Sequence, residues 1–166
     1  MPRVRPSERL RLDPLTVDDA DEMVAVLSDA ALYRYTGGSP PEVEELRRRY
    51  RAQVEGTSPD GRESWHNWVV RRRSDGTAIG FVQATVERAT GTAELAWVIG
   101  APWQGNSYAG EAVSCLVAAL RDAGSSRLLA HVHPDHPASQ RVAEQAGLGR
   151  TGRLVDGEEE WEWRAP

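Results

Sequence analysis

Between positions 64 and 99 apolar and polar residues alternate with a period of two. Three strands are predicted there, over residues 64–72, 77–87 and 92–99. Ser74-Asp75-Gly76 and Ala89-Thr90-Gly91 supply turns between them, so the strands are antiparallel neighbours. After position 107 the period lengthens. Ala109, Ala112, Val113, Leu116, Val117 and Leu120 recur at helical spacing and predict a helix over 107–122. Residues 127–133 read as a strand and 137–146 as a helix ended by Gly147. Residues 151–155 and 159–164 form a hairpin around Asp156-Gly157.

Upstream, Leu10 and Leu12 alternate with charge in a short strand over 9–15. Thr16 caps a helix with Asp19 as the returning partner, and Ala20, Met23, Val24 and Leu27 make its apolar stripe. Residues 32–35 form a short element broken by Gly37-Gly38-Ser39-Pro40. Pro41 then opens a helix carrying Val43, Leu46 and Tyr50 on one face. The order is strand, helices, three antiparallel strands, helix, strand, helix, hairpin. It predicts a single α/β domain over 1–166, with a mixed, mostly antiparallel sheet flanked by helices. A dinucleotide fold would alternate strand and helix from the start.

Composition narrows the function classes. The 166 residues suit one compact unit, and 40% apolar with 27% charged residues is the balance of a globular chain. No apolar run is long enough to span a bilayer, and no apolar stretch follows the basic residues of the first twelve, so neither a membrane span nor a signal peptide is expected. Cys115 is alone, which fits a reducing compartment, and a cytoplasmic location is expected. A net charge of −5 disfavours nucleic acid and anionic membranes as partners. All 20 basic residues are arginine, so no catalytic lysine is available. Arg47 to Arg49 read as paired with Glu44 and Glu45 on a helix, and Arg71 to Arg73 as a solvated strand end.

The chemistry is concentrated where strand 92–99 turns into helix 107–122. A helix N-terminus offers unpaired N–H groups and a positive dipole end, so it can hold phosphate without a lysine. The segment Gln104-Gly105-Asn106-Ser107-Tyr108-Ala109 resembles the Q/R-x-x-G-x-G/A acyl-CoA signature of the GNAT superfamily of N-acetyltransferases. Tyr108-Ala109-Gly110-Glu111-Ala112 resembles its continuation. Ser107 stands where that pattern has glycine, a tolerated change if its φ is negative. Pro134 to Leu148 resembles the family's N-x-A-S…E-x-x-G-F segment, with His136 replacing the asparagine and Leu148 the phenylalanine. The opening Ser7 to Leu12 resembles the RimJ/RimL-type branch.

The resemblance implies an acetyl group carried from acetyl-CoA, without a metal, to a primary amine on a protein N-terminus or a small molecule. It implies direct attack in a ternary complex, and a strand 92–99 that splays from its neighbour to admit the thioester. A backbone N–H near Val98 would polarise the carbonyl, and Gln104 to Ala109 with His136 would contact the cofactor. Glu94 is the candidate base, sharing a strand face with Ala96 and Val98. Ser139 is the candidate partner of the leaving sulfur, since Ala143 occupies the position of the tyrosine acid common in the family. Asn67 and Tyr35 are candidates for acceptor binding, with Arg34, Gly37 and Gly38 bordering the same cleft. His131, His133 and His136 with Asp135 suggest a metal site superficially, but lack an evident fourth ligand. The acidic stretch Glu158 to Glu162 reads as a solvated hairpin. A homodimer is compatible with the sequence. The competing reading is a non-catalytic acyl-CoA-binding module that retains the pyrophosphate site.

Overall fold

A computed structural model describes residues 1–166. Its sheet has seven strands, β1 (Leu10–Pro14), β2 (Glu63–Arg72), β3 (Ala78–Glu87), β4 (Thr92–Ile99), β5 (Arg127–Val132), β6 (Gly149–Val155) and β7 (Glu158–Arg164), in the order β1-β2-β3-β4-β5-β7-β6. Only β4 and β5 pair in parallel, and α3 (Tyr108–Asp122) is the crossover between them. The mixed, mostly antiparallel architecture is the one expected from the alternation.

Alternation also decides what each face buries. Leu10 and Leu12, Trp68 and Val70, Val82 and Ala84, Ala93 and Leu95, and Leu128, Ala130 and Trp161 project to one side. There they meet Ala112, Val113, Leu116, Val117 and Leu120 of α3, and Ala143 of α4 (Pro137–Gln145). Each of the valines and leucines on that α3 stripe is at most 3% exposed, and its burial contributes roughly 1.5–3 kcal/mol. The opposite face carries a smaller cluster, in which Val69, Ala78 and the partly buried Phe81 and Val98 pack under Met23 and Val26 of α1 (Ala20–Val26) and Leu46 and Tyr50 of α2 (Val43–Val54). That second cover stops at Val98. Glu94, at the other end of β4, is exposed.

Several local details differ from the sequence expectation. The helix after Thr16 begins with a 3-10 turn over Val17–Asp19, where Asp19 accepts the Thr16 N–H at 2.7 Å. The element expected at 32–35 is a 3-10 turn over Ala30–Tyr33, and α2 starts at Val43 rather than at Pro41. Arg71 is no solvated strand end. Its side chain is 14% exposed and reaches Asp19 at 2.8 Å and Glu22 at 2.7 Å, tying α1 to the sheet. Arg47 pairs with Glu44 as expected, and also with Asp21 of α1.

The β2–β3 ladder slips between Val70, opposite Gly80, and Arg71, opposite Ala78, leaving Ile79 as an extra residue. Beside it β3 and β4 approach so closely that a Cβ on Gly80 would lie 2.1 Å from the Val98 carbonyl oxygen. Gly80→Ala should therefore cost about 1–3 kcal/mol. Urea denaturation measures it, and an unchanged midpoint would mean that the two strands can separate there freely.

Candidate active site

The ladder between β4 and β5 ends early. It runs from Thr92 opposite Arg127 to Leu95 opposite Ala130, although β4 continues to Ile99 and β5 to Val132. The strands therefore part after Leu95, leaving the edge of β4 open. The Gly100 N–H donates to Ile79 O at 2.8 Å, which fixes the alternation of the β3–β4 ladder. By that alternation the N–H groups of Ala96 and Val98 point at β3, and those of Trp97 and Ile99 face the gap. The donor expected near Val98 is therefore not Val98's own. Its side chain packs into the smaller core cluster.

Beyond Ile99 the chain makes a 3-10 turn over Ala101–Trp103 and enters α3 through Gln104 to Ser107. The Gln104 and Asn106 side chains build this loop. Gln104 Nε2 donates to Ile99 O at 2.9 Å, and Asn106 Nδ2 to Trp103 O and Gln104 O, each at 3.1 Å. Arg9 supports it from outside, donating to Asn106 O at 3.0 Å and lying over the Tyr108 ring. Tyr108 and Ala109 pack partly buried against the larger core. Glu111 holds Arg9 in turn; burial pushes the Glu111 carboxyl up, but bonds from Ser7 and Arg9 outweigh this and hold it low.

The backbone N–H groups of Gly105, Asn106, Ser107, Tyr108, Ala109 and Gly110 find no acceptor within the protein. Gly105 has φ +79° and nothing within 4 Å of where a Cβ would stand, so the approach to these donors is clear. Ser107 has φ +63°, so the condition of a negative angle, under which serine costs little there, is not met. The family's glycine suits this left-handed turn without strain, and serine does not. A depression of about 520 Å³ beside Tyr108 is lined by Glu8, Arg9, Arg72, Arg73 and Ser74. The donor set thus fits the pyrophosphate of an acyl-CoA: unbonded amides, an unobstructed glycine and arginines nearby.

Glu94 lies on the last paired rungs before the strands part, opposite Thr85 on β3 and Leu129 on β5. Its side chain is 57% exposed on the face that α1 and α2 leave uncovered. Asn67, opposite Gln83, shares that face and is nearly buried, with no protein partner for its amide. Ser139 sits in the first turn of α4, partly exposed, and its hydroxyl makes no hydrogen bond to protein. Tyr35 stacks on His136 at 4.4 Å between ring centroids and lies 5.2 Å from His133. An acceptor-side candidate and a donor-side candidate thus meet at the start of α4. Burial, and then the charge of His133, push the His136 imidazole below its ordinary value.

The histidines do not gather around a common centre. His133 Nδ1 accepts the Asp135 N–H, His131 turns to Glu94, and no group of three or more His, Cys, Asp or Glu residues forms a metal site. The acidic hairpin is solvated only in part. Glu160 is 3% exposed, and its carboxyl is held low chiefly by hydrogen bonding from Arg153. Sequence reasoning missed this partner of the site. The signal was available in the alternation that puts Glu160 and His131 on one sheet face.

A parted parallel strand pair beside a helix N-terminus rich in free amides defines an acyl-CoA-dependent acyltransferase fold. The chain belongs to the GNAT acetyltransferase family: the sequence model of the acetyltransferase (GNAT) domain matches residues 9–149. It is accordingly an acetyltransferase with acetyl-CoA as its co-substrate. Similar solved structures include an inferred ribosomal-protein-serine acetyltransferase from Vibrio cholerae, at 20% identity and TM-score 0.75, covering 96% of this chain and 95% of that one. The spermidine N-acetyltransferase of Vibrio cholerae, in complex with CoA and spermine, is 18% identical with TM-score 0.76 and 94% coverage of both chains. The Microcin C7 self-immunity acetyltransferase, in complex with acetyl-CoA and AMP, is 13% identical with TM-score 0.79, covering 96% and 94%. At these identities the likeness establishes the fold. No curated protein matches the chain in sequence.

Because Ser107 is held at positive φ, Ser107→Gly should stabilise the protein by about 1 kcal/mol. It should leave acetyl-CoA binding intact or tighter. Thermal melting and calorimetric titration test both, and a large loss of affinity would make the hydroxyl a required phosphate donor.

Proposed function

We propose that residues 1–166 form one N-acetyltransferase unit of the RimJ/RimL type. It carries the acetyl group of acetyl-CoA to a primary amine by direct attack in a ternary complex. The observation that carries this reading is the run of unbonded amides from Gly105 to Gly110, set beside the gap between β4 and β5. Those amides would hold the pyrophosphate, and the depression lined by Arg9, Arg72 and Arg73 would receive further phosphate charge. The thioester would then enter the gap, where the Trp97 or Ile99 N–H meets its carbonyl oxygen as charge develops.

Acyl transfer forms a C–N bond and breaks a C–S bond; the ammonium nitrogen loses two protons, one before attack and one as the tetrahedral intermediate collapses, of which one is released and one ends on the CoA sulfur. Glu94 would take the proton lost before attack, directly or through water, and Ser139 would hydrogen-bond the departing sulfur. Asn67 and Tyr35 would border the acceptor. The amine is a protein N-terminus or a small-molecule amine such as a polyamine or an amine antibiotic. The ribosomal-protein-serine and spermidine acetyltransferase structures from Vibrio cholerae share this fold, and the opening Ser7 to Leu12 favours the branch that includes ribosomal-protein acetyltransferases. A cytoplasmic site of action accords with the lone cysteine and acetyl-CoA use.

Free-thiol release from acetyl-CoA, measured across N-terminal peptides and polyamines, tests the activity. Glu94→Gln should lower turnover about 10²–10⁴-fold with acetyl-CoA affinity nearly unchanged, and should flatten the acidic limb of the pH profile. Full activity with an unaltered profile would place the base elsewhere. Ser139→Ala should slow transfer less from donors whose leaving thiol is more acidic, because that thiolate needs less help. Equal slowing with every donor would remove Ser139 from the leaving-group role.

A further inference from the structure

Behind Glu94 lies a line of ionisable side chains that the transfer reaction, as derived so far, does not use. His131, on β5, contacts Glu94 Oε1 through Nδ1 at 2.9 Å and is 17% exposed. On its other side Nε2 lies 3.8 Å from Glu160 Oε2, on the residue directly opposite in the β5–β7 ladder. Glu160 is itself fixed, accepting Arg153 Nε at 3.0 Å and Nη2 at 2.6 Å, with Arg127 4.0 Å away. An exposed carboxylate is thus bound to a largely buried imidazole, which rests against a buried, doubly bonded carboxylate. Such a chain costs free energy to assemble, and packing alone would be served better by apolar residues.

Building on the base assigned to Glu94, we propose that His131 is a positioning residue for acetyl transfer. It donates its Nδ1–H to one oxygen of Glu94, while Glu160, 3.8 Å from Nε2 and beyond hydrogen-bond distance, lies alongside the ring. A carboxylate accepts only, so the contact requires the proton on Nδ1. With Oε1 engaged, Glu94 is left with Oε2 for the acceptor amine, and its side chain is held at the point where β4 and β5 part. The ammonium proton goes to Glu94. His131 fixes where that happens and remains Nδ1-protonated throughout. Besides the two carboxylates and Arg153, the charged groups around the ring are Arg127 on β5 and its partner Glu162 on β7.

Nitrogen NMR of imidazole-labelled protein reads the tautomer without any acceptor, and the chain has only four histidines to assign. Neutral His131 should carry its proton on Nδ1 in the wild type and lose that preference in Glu94→Gln. A proton on Nε2 in the wild type would overturn the proposal, because Glu94 could then receive no bond. Turnover with acetyl-CoA, using spermidine and a serine-initiated peptide as acceptors, adds the kinetic arm. His131→Leu should lower kcat about 10–100-fold, with KM for acetyl-CoA and the melting temperature little changed. His131→Asn, which keeps a donor near the Nδ1 position, should recover most of that loss. In a Glu94→Gln background His131→Leu should have little further effect. An equal loss in both backgrounds, or a parallel rise in acetyl-CoA KM, would make His131 structural and overturn the inference. A Glu94→Gln protein with full turnover would instead overturn the base assignment itself.

Discussion

The early end of one hydrogen-bonded ladder is the constraint on which the rest of this structure depends. Strands β4 and β5 share four paired positions and then separate, although each continues. An exposed strand edge is ordinarily costly to keep dry and prone to capture a neighbour. Here each strand is held by its other partner. β3 accompanies β4 to Ile99, and β7 accompanies β5 to Val132. Helices α3 and α4 close one side of the opening, and their contact is tight enough that a Cβ on Gly110 would strike Gln145. The gap is therefore a property of the frame, built before any substrate arrives.

Electrostatics follow from that frame. The protein must hold a highly anionic co-substrate with a net charge of −5 and no lysine. Several of its arginines are engaged elsewhere, Arg71 with Asp19 and Glu22, Arg153 with Glu160, and Arg9 with Glu111. In the reading proposed above, anion binding falls chiefly to backbone amides, which carry no charge to be neutralised by neighbouring acids, with the arginines of the adjacent depression in a supporting role.

The architecture was legible because periodicity reports which side chains share a face. Strands over 64–72 and 92–99 and the helix ending at Asp122 emerged with boundaries within a residue or so. The amide-bearing loop was legible through spacing. What periodicity cannot report is what covers a face. Arg71 and Glu160 look solvated in a linear reading, yet one is clamped beneath α1 and the other is buried against His131. Backbone sign was equally hidden, because the left-handed turn at Ser107 depends on how Gln104 and Asn106 fold the loop. The slip at Ile79 arises from pairing between distant segments, and has no local signature.

The two faces of the sheet are unequally packed. A cluster of 22 buried residues lies under α3 and α4, and one of only 8 under α1 and α2. Opening free energies within a protein track such local burial. The amide-bearing turn at the start of α3, the proposed co-substrate site, therefore adjoins the last part of the molecule to breathe. The face of Glu94 and Asn67, proposed to border the acceptor, belongs to a thinner layer, which can loosen and reset while the turn before α3 stays formed. On that proposal, tight retention of one substrate and ready exchange of the other would coexist in a chain of this size.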